Sequence, residues 1–244
     1  MISSLRRWID PLAALERRRA RALVRFGHEP LVRTLLAQHH PMASADPWLL
    51  PMLVLDMETS GLDPAQDRIL SMGWIPVVEG TLRLGESCHH YLASAAVSAE
   101  SSVIHHITPQ VLYGGLDERD ALSTLLEAMT GRLLVAHGAA IERRFLTALL
   151  ARHYGIEHEL PLPWLDTLAL ERSLLCNRQE HRVDYRLSEI RKRRGLPPYL
   201  AHNALADAVA TGELLLVQMK EILAGQPRVL GPLYQRVQAH GMRM

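Results

Sequence analysis

The chain is poor in cysteine and lysine and has no long apolar run. Of its 244 residues only two are cysteine, Cys88 and Cys176. They stand far apart and outside any ligand-like spacing, which excludes a disulfide framework and a thiolate zinc site and points to a reducing, intracellular compartment. No stretch approaches the roughly 18 to 20 apolar residues needed to span a bilayer, and the N-terminus lacks a signal-peptide core. A soluble, cytoplasmic chain with no membrane contact is therefore expected. A net charge of only +1 excludes the strong positive field of a protein that wraps duplex DNA broadly, so any nucleic-acid contact should be local. Lys192 and Lys220 are the two lysines among 27 basic residues, and the remaining arginines favour fork-like contacts with phosphate. Internal repeats and low-complexity tracts are absent.

What is present is enough apolar material, 48% of residues, for one full-sized domain and an extension. Residues 1–47 carry Leu, Ala and Val at helical spacing among many arginines and read as a basic amphipathic helical extension. Its apolar residues, including Trp8, Leu12, Leu23 and Phe26, need a cover, either a protein partner or this same domain. Residues 48–224 form the main domain. Strands are predicted over Pro51–Glu58, Ile69–Val78 and Thr81–Leu92, with breaks at Asp63-Pro64 and Glu79-Gly80. The pattern then becomes helical at Glu118–Thr130, briefly apolar at Arg132–His137, and strongly amphipathic at Ala139–His153, ending near Gly155. A short strand at Trp164-Leu165 leads to a helix capped by Asp166, and helices follow over Tyr185–Arg194 and Asn203–Leu223. Strands first and alternating elements later imply an α/β domain, a mixed sheet with helices on its faces. No role is evident for residues 225–244, taken as a C-terminal tail.

The most informative stretch is LVLDMETSGL, in which Asp56 and Glu58 end an apolar run and are followed by Thr59, Ser60 and Gly61. Residues at i and i+2 of a strand share a face, so both carboxylates can converge on one hard cation. The bland alternative is a solvated acidic strand end, but the preceding apolar run implies a buried central strand, where ionised groups need partners. Glu142 lies three and four positions before the apolar Phe145 and Leu146 and so borders the core-facing side of its helix. His202 and Asp207 lie in AHNALADAVAT, where Asp207 has only small or polar neighbours three and four residues away.

Together these residues resemble the DnaQ-like exonucleases of the DEDD group, histidine subtype. LVLDMETSGL resembles the first motif, HGAAIERRFL with Glu142 the second, and HNALADAVAT with His202 and Asp207 the third; VIHHITPQ and LDTLALER between them are also similar to family stretches. The resemblance covers about residues 50–220. It implies a ribonuclease-H-like mixed five-stranded sheet and a metal-dependent 3′-to-5′ exonuclease acting on single-stranded DNA or RNA 3′ ends. It further implies two Mg²⁺ or Mn²⁺ ions held by Asp56, Glu58, Glu142 and Asp207, with His202 as general base and Thr59, Ser60 and Leu62 against the terminal nucleotide. One departure stands out: the family's second motif usually carries Asp where this chain has Glu142.

Other candidates have simpler explanations. The Arg191–Arg194 run could guide a phosphate chain or be a solvated helix face, and His105 and His106 suit structural hydrogen bonds. Asp166 suits an N-cap, and His137 is a strand-end residue. An aspartyl-phosphate phosphatase would need a second aspartate in the first motif and a downstream lysine in a suitable context, which neither Lys192 nor Lys220 provides. A binding module in which Glu142 has impaired catalysis remains the alternative to an active enzyme.

Overall fold

A computed structural model describes residues 11–93, 109–176 and 183–241. Alternation along the first strand sets the layers. In β1 (Met52–Thr59), Leu53, Leu55 and Met57 enter one apolar core while Met52 and Val54 enter another on the opposite face. β1 is central: it pairs antiparallel with β2 (Ile69–Val78) and parallel with β5 (Leu133–Ala136), which pairs parallel with β6 (Trp164–Asp166).

The sequence predicts one strand over Thr81–Leu92. The chain instead forms β3 (Thr81–Leu82) and β4 (Cys88–Tyr91), both paired with β2 and separated by a 3-10 turn at Leu84–Glu86. The expected mixed sheet is present and, among the described residues, counts six strands because the third predicted strand is split, with β3 and β4 sharing the outer edge of β2.

The first core lies under α1 (Pro11–Phe26), α2 (Pro30–Ala37), α4 (Glu118–Met129) and α5 (Ala140–Tyr154); the short α3 (Pro109–Tyr113) precedes α4. The second lies under α6 (Thr167–Leu175), α8 (Ala204–Ile222) and α9 (Leu230–His240). α7 (Leu187–Arg193) packs on α8 through Leu187, Ile190, Ala210 and Leu214. Gly155 ends α5 in the left-handed conformation, as its position after the periodic run predicts.

The amphipathic N-terminal helices find their cover on this chain. Leu12 and Leu15 enter the second core, whereas Ala22, Phe26, Val32, Leu35 and Leu36 enter the first; Trp8 lies outside the described residues. Burying each such large side chain contributes about 1.5–3 kcal/mol relative to leaving it exposed. Glu16 ties α1 to the segment just beyond α2: it accepts from Arg19 Nε at 2.8 Å and from the His40 amide at 3.1 Å, and pairs with His39 Nδ1 at 2.7 Å. The tail without an evident role contains α9, whose Leu230, Leu233, Tyr234 and Val237 are buried in the second core. No helix among the described residues is long and apolar enough to cross a membrane.

Candidate active site

The period that sends Met52 and Val54 to the second core places Asp56 and Glu58 next along that same face, beneath the N-terminus of α8. Asp207 comes from the first turn of α8, which Asn203 caps by accepting from the Ala206 amide at 3.1 Å. The approach of that helix depends on Gly73, which lies opposite Asp56 in β2. A Cβ on Gly73 would stand 2.2 Å from the Leu205 amide nitrogen, so a larger residue would push the helix off the sheet.

Asp56, Glu58 and Asp207 each offer an oxygen, and the three oxygens lie within 4.8 Å of one another. Glu142 stands outside this trio but beside it. α5 buries Phe145, Leu146 and Leu149 on the opposite side of the sheet, and Glu142 in its first turn is 4% exposed, with Oε2 buried and without a hydrogen-bond partner among the described residues. Among the neighbouring charges, that of Glu142 bears on Asp56 most strongly.

The turn that aims Glu142 is fixed by Asp166. Its Oδ1 caps α6 by accepting from Leu168 and Ala169 amides at 2.9 and 3.3 Å, and also accepts from the Gly138 amide at 2.9 Å. Asp166 is thus the predicted N-cap and also a staple between the β5–α5 and β6–α6 turns.

Burial and mutual repulsion make Asp56, Glu142 and Asp207 hard to ionise. Burial foremost, then the charges of Glu142, Asp207 and Glu58, pushes Asp56 well above the usual carboxylate range. Glu142 is pushed up to about 8, mainly by burial and further by the charges of Asp166 and Glu58. Asp207 is raised by burial, against hydrogen bonds from Tyr199 and the backbone of Asn203 and His202. An all-oxygen donor set, crowded like charges and an orphaned buried carboxylate oxygen fit one or more hard divalent cations, which would neutralise the repulsion.

His202 is exposed at the rim, immediately before the N-cap, in the left-handed conformation at φ 64°. That conformation is uncommon for a residue with a Cβ and is concentrated at functional positions. Beyond Glu58, Thr59 Oγ1 donates to the Gly61 carbonyl at 2.7 Å, and Ser60 Oγ donates to Asp67 Oδ1 at 3.0 Å. This locked turn presents Leu62, 68% exposed, to solvent.

The arginine run divides differently from a phosphate guide. Arg191 is buried, and Arg194 pairs with the buried Glu171 at 2.7 Å. His137 is held between Thr167 Oγ1 at 2.9 Å and the Tyr185 carbonyl at 3.0 Å, a structural role. His105 and His106 lie outside the described residues. Sequence reasoning passed over Gly73, whose place inside an apolar strand was the available signal. It also passed over Ser71 and His89, which register places opposite Glu58 and opposite Gly73; Ser71 Oγ and His89 Nε2 are buried without hydrogen-bond partners among the described residues.

A family profile described as exonuclease, RNase_T, matches residues 53–215, which includes all four acids and His202. The chain belongs to the DnaQ-like exonuclease family. It is 33% identical over 165 residues to the PolC-type DNA polymerase III of Thermotoga petrophila, covering 67% of this chain and 11% of that protein. To a DNA polymerase III subunit epsilon-like protein of Rhodobacter capsulatus it is 27% identical over 199 residues, covering 80% of this chain and 27% of the relative. The chain therefore spans a small part of the curated relatives it matches. Among solved structures, E. coli exonuclease I in complex with a dT13 oligonucleotide superposes with a TM-score of 0.61 at 21% identity, covering 72% of this chain and 42% of that one. Exonuclease I from Methylocaldum szegediense gives 0.60 at 24% identity, over 78% and 43%. These likenesses place the DnaQ-like chain in the ribonuclease-H-like exonuclease fold.

Proposed function

We propose that this DnaQ-like chain is a 3′-to-5′ exonuclease that removes 5′-mononucleotides from single-stranded DNA. The observation that carries the reading is the convergence of Asp56, Glu58 and Asp207 within 4.8 Å at the end of a central strand, with buried Glu142 beside them. The substrate follows from likeness to exonuclease I, whose structure holds a dT13 oligonucleotide, and to PolC-type polymerases.

Two divalent ions, Mg²⁺ or Mn²⁺, would supply charge neutralisation at the scissile phosphate and support for the attacking and leaving oxygens. Asp56, Glu58 and Asp207 would hold them, with Glu142 completing the set from the side of α5. Glu142 is one methylene longer than the family's usual Asp at this place. His202, exposed at the rim, takes the proton of the attacking water, a role suited to an imidazole near neutral pH. Leu62 on its locked turn packs against the terminal base, and Thr59 and Ser60 line its approach.

The test is digestion of DNA and RNA strands of one sequence with Mg²⁺ or Mn²⁺, alongside an Asp56→Asn control. Metal-dependent release of deoxymononucleotides, absent in the control, is the expected result. Preferential release of ribonucleotides would reassign the substrate to RNA, and intact strands of both kinds would make the chain a binding module.

A further inference from the structure

Tyr199 belongs to none of the family's motifs, yet its hydroxyl donates to Asp207 Oδ1 at 2.6 Å. The other oxygen of Asp207 accepts from the Asn203 amide at 3.0 Å, so both oxygens are oriented by the protein. The tyrosine is itself held. Its ring lies under the Arg191 guanidinium, 5.1 Å from ring centroid to carbon, and packs on the small apolar cluster between α7 and α8.

Arg191 is 2% exposed and fixed on three sides, donating to the Ala210 carbonyl at 2.7 Å, the Pro197 carbonyl at 3.0 Å and Glu213 Oε2 at 2.7 Å. The connection from α7 is rigid. Gly195 turns in the left-handed conformation, the Leu196 amide donates back to the Arg191 carbonyl at 3.0 Å, and Pro197 and Pro198 lead into Tyr199.

We infer that Tyr199, backed by Arg191, is a positioning residue that fixes the Asp207 carboxylate in the orientation in which it receives a divalent cation. Carboxylates that ligate metals are themselves usually hydrogen-bonded, and loss of such a partner typically weakens metal affinity by about 10- to 100-fold. A carboxylate oxygen keeps a free lone pair after accepting one hydroxyl, so the contact is compatible with coordination. The inference rests on the proposed metal-dependent reading of the same site. It also gives the first member of the arginine run a purpose: Arg191 supports the site from within and does not meet the nucleic acid.

The experiment is a titration of the full chain with Mn²⁺, followed by electron paramagnetic resonance of the free ion, for wild type and Tyr199→Phe. Phenylalanine keeps the ring under Arg191 and removes only the hydroxyl; far-UV circular dichroism and metal-free melting confirm that the variant is folded. Mn²⁺ affinity should fall about 10-fold or more, and hydrolysis lost at low Mn²⁺ should recover at saturating Mn²⁺. Unchanged affinity in Tyr199→Phe would overturn the positioning role. Tighter binding would overturn it too, showing that the hydroxyl obstructs the cation. If wild type bound no Mn²⁺, the metal-dependent reading would fall and this inference with it, an outcome distinct from the other two.

Discussion

Gly73 faces Asp56 across the β1–β2 ladder, and the bare face of that glycine is what lets the N-terminus of α8 carry Asp207 to the sheet. A Cβ there would lie 2.2 Å from Leu205 N and 2.3 Å from the Ala204 carbonyl carbon, both backbone atoms with no side-chain rotamer to yield. Gly73→Ala should therefore lower stability by about 1–3 kcal/mol or more and weaken divalent-ion binding. Urea unfolding and Mn²⁺ titration of the variant check both; a variant as stable as wild type would mean that α8 is not seated as described.

Glu142 gives a second expectation, because its position beside the trio predicts a need for charge with some tolerance of length. Glu142→Asp should retain or raise hydrolysis, whereas Glu142→Gln should reduce it by about 10-fold or more. Steady-state rates at saturating Mg²⁺ distinguish them. Full activity in Glu142→Gln would remove this residue from the site.

The elevated Glu142 carboxyl also predicts a pH dependence. A folded-state value near 8, against 4.5 for the free group, means that the folded protein holds a proton that the unfolded chain has released across that interval. This contribution therefore stabilises the metal-free fold below about 4.5 and is lost as pH rises through about 8, with Asp56 and Asp207 acting in the same sense. Metal-free melting temperature should fall between roughly pH 6.5 and 8, Glu142→Gln should flatten that fall, and added Mg²⁺ should stabilise more at pH 8 than at 6.5. Calorimetry across that range supplies the comparison.

Removing a side chain from the N-terminal helices should damage the fold. Leu36 is fully buried in the first core, so Leu36→Ala should cost about 2–5 kcal/mol. Denaturant unfolding measures it, and a loss below about 0.5 kcal/mol, the scale of an ordinary surface substitution, would show that α2 is an appendage.

The strands and the acids on β1 were legible because period-2 alternation fixes both the core and the face of Asp56 and Glu58. Helix boundaries were legible where a cap or a left-handed glycine marked them, as at Asp166 and Gly155. Less legible were contacts between segments distant in sequence. Nothing local to Arg191 says that its charge turns inward to Ala210 and Tyr199, because a basic run at a helix end has the same pattern when solvated. α9 was a missed opportunity: Leu230, Leu233, Tyr234 and Val237 carry a clear helical period, obscured by their nearness to the end of the chain and by Gly231 and Pro232. The division of Thr81–Leu92 comes from the 3-10 turn, in which the Glu86 amide donates to the Arg83 carbonyl at 2.9 Å and the Ser87 amide to the Leu84 carbonyl at 3.2 Å, local bonds that composition does not reveal.

The polarity of attack tests the proposed activity most directly. One single-stranded DNA, labelled in separate preparations at its 5′ or its 3′ end, would be digested with Mg²⁺ by wild type, His202→Ala and Asp56→Asn. Shortening from the 3′ end should leave a descending ladder from the 5′ label and release the 3′ label at once as a mononucleotide. His202→Ala should do the same about 10²- to 10⁴-fold more slowly, and Asp56→Asn not at all. Release of the 5′ label first, internal cuts, or equal digestion by Asp56→Asn would contradict a 3′-to-5′ exonuclease built on these carboxylates.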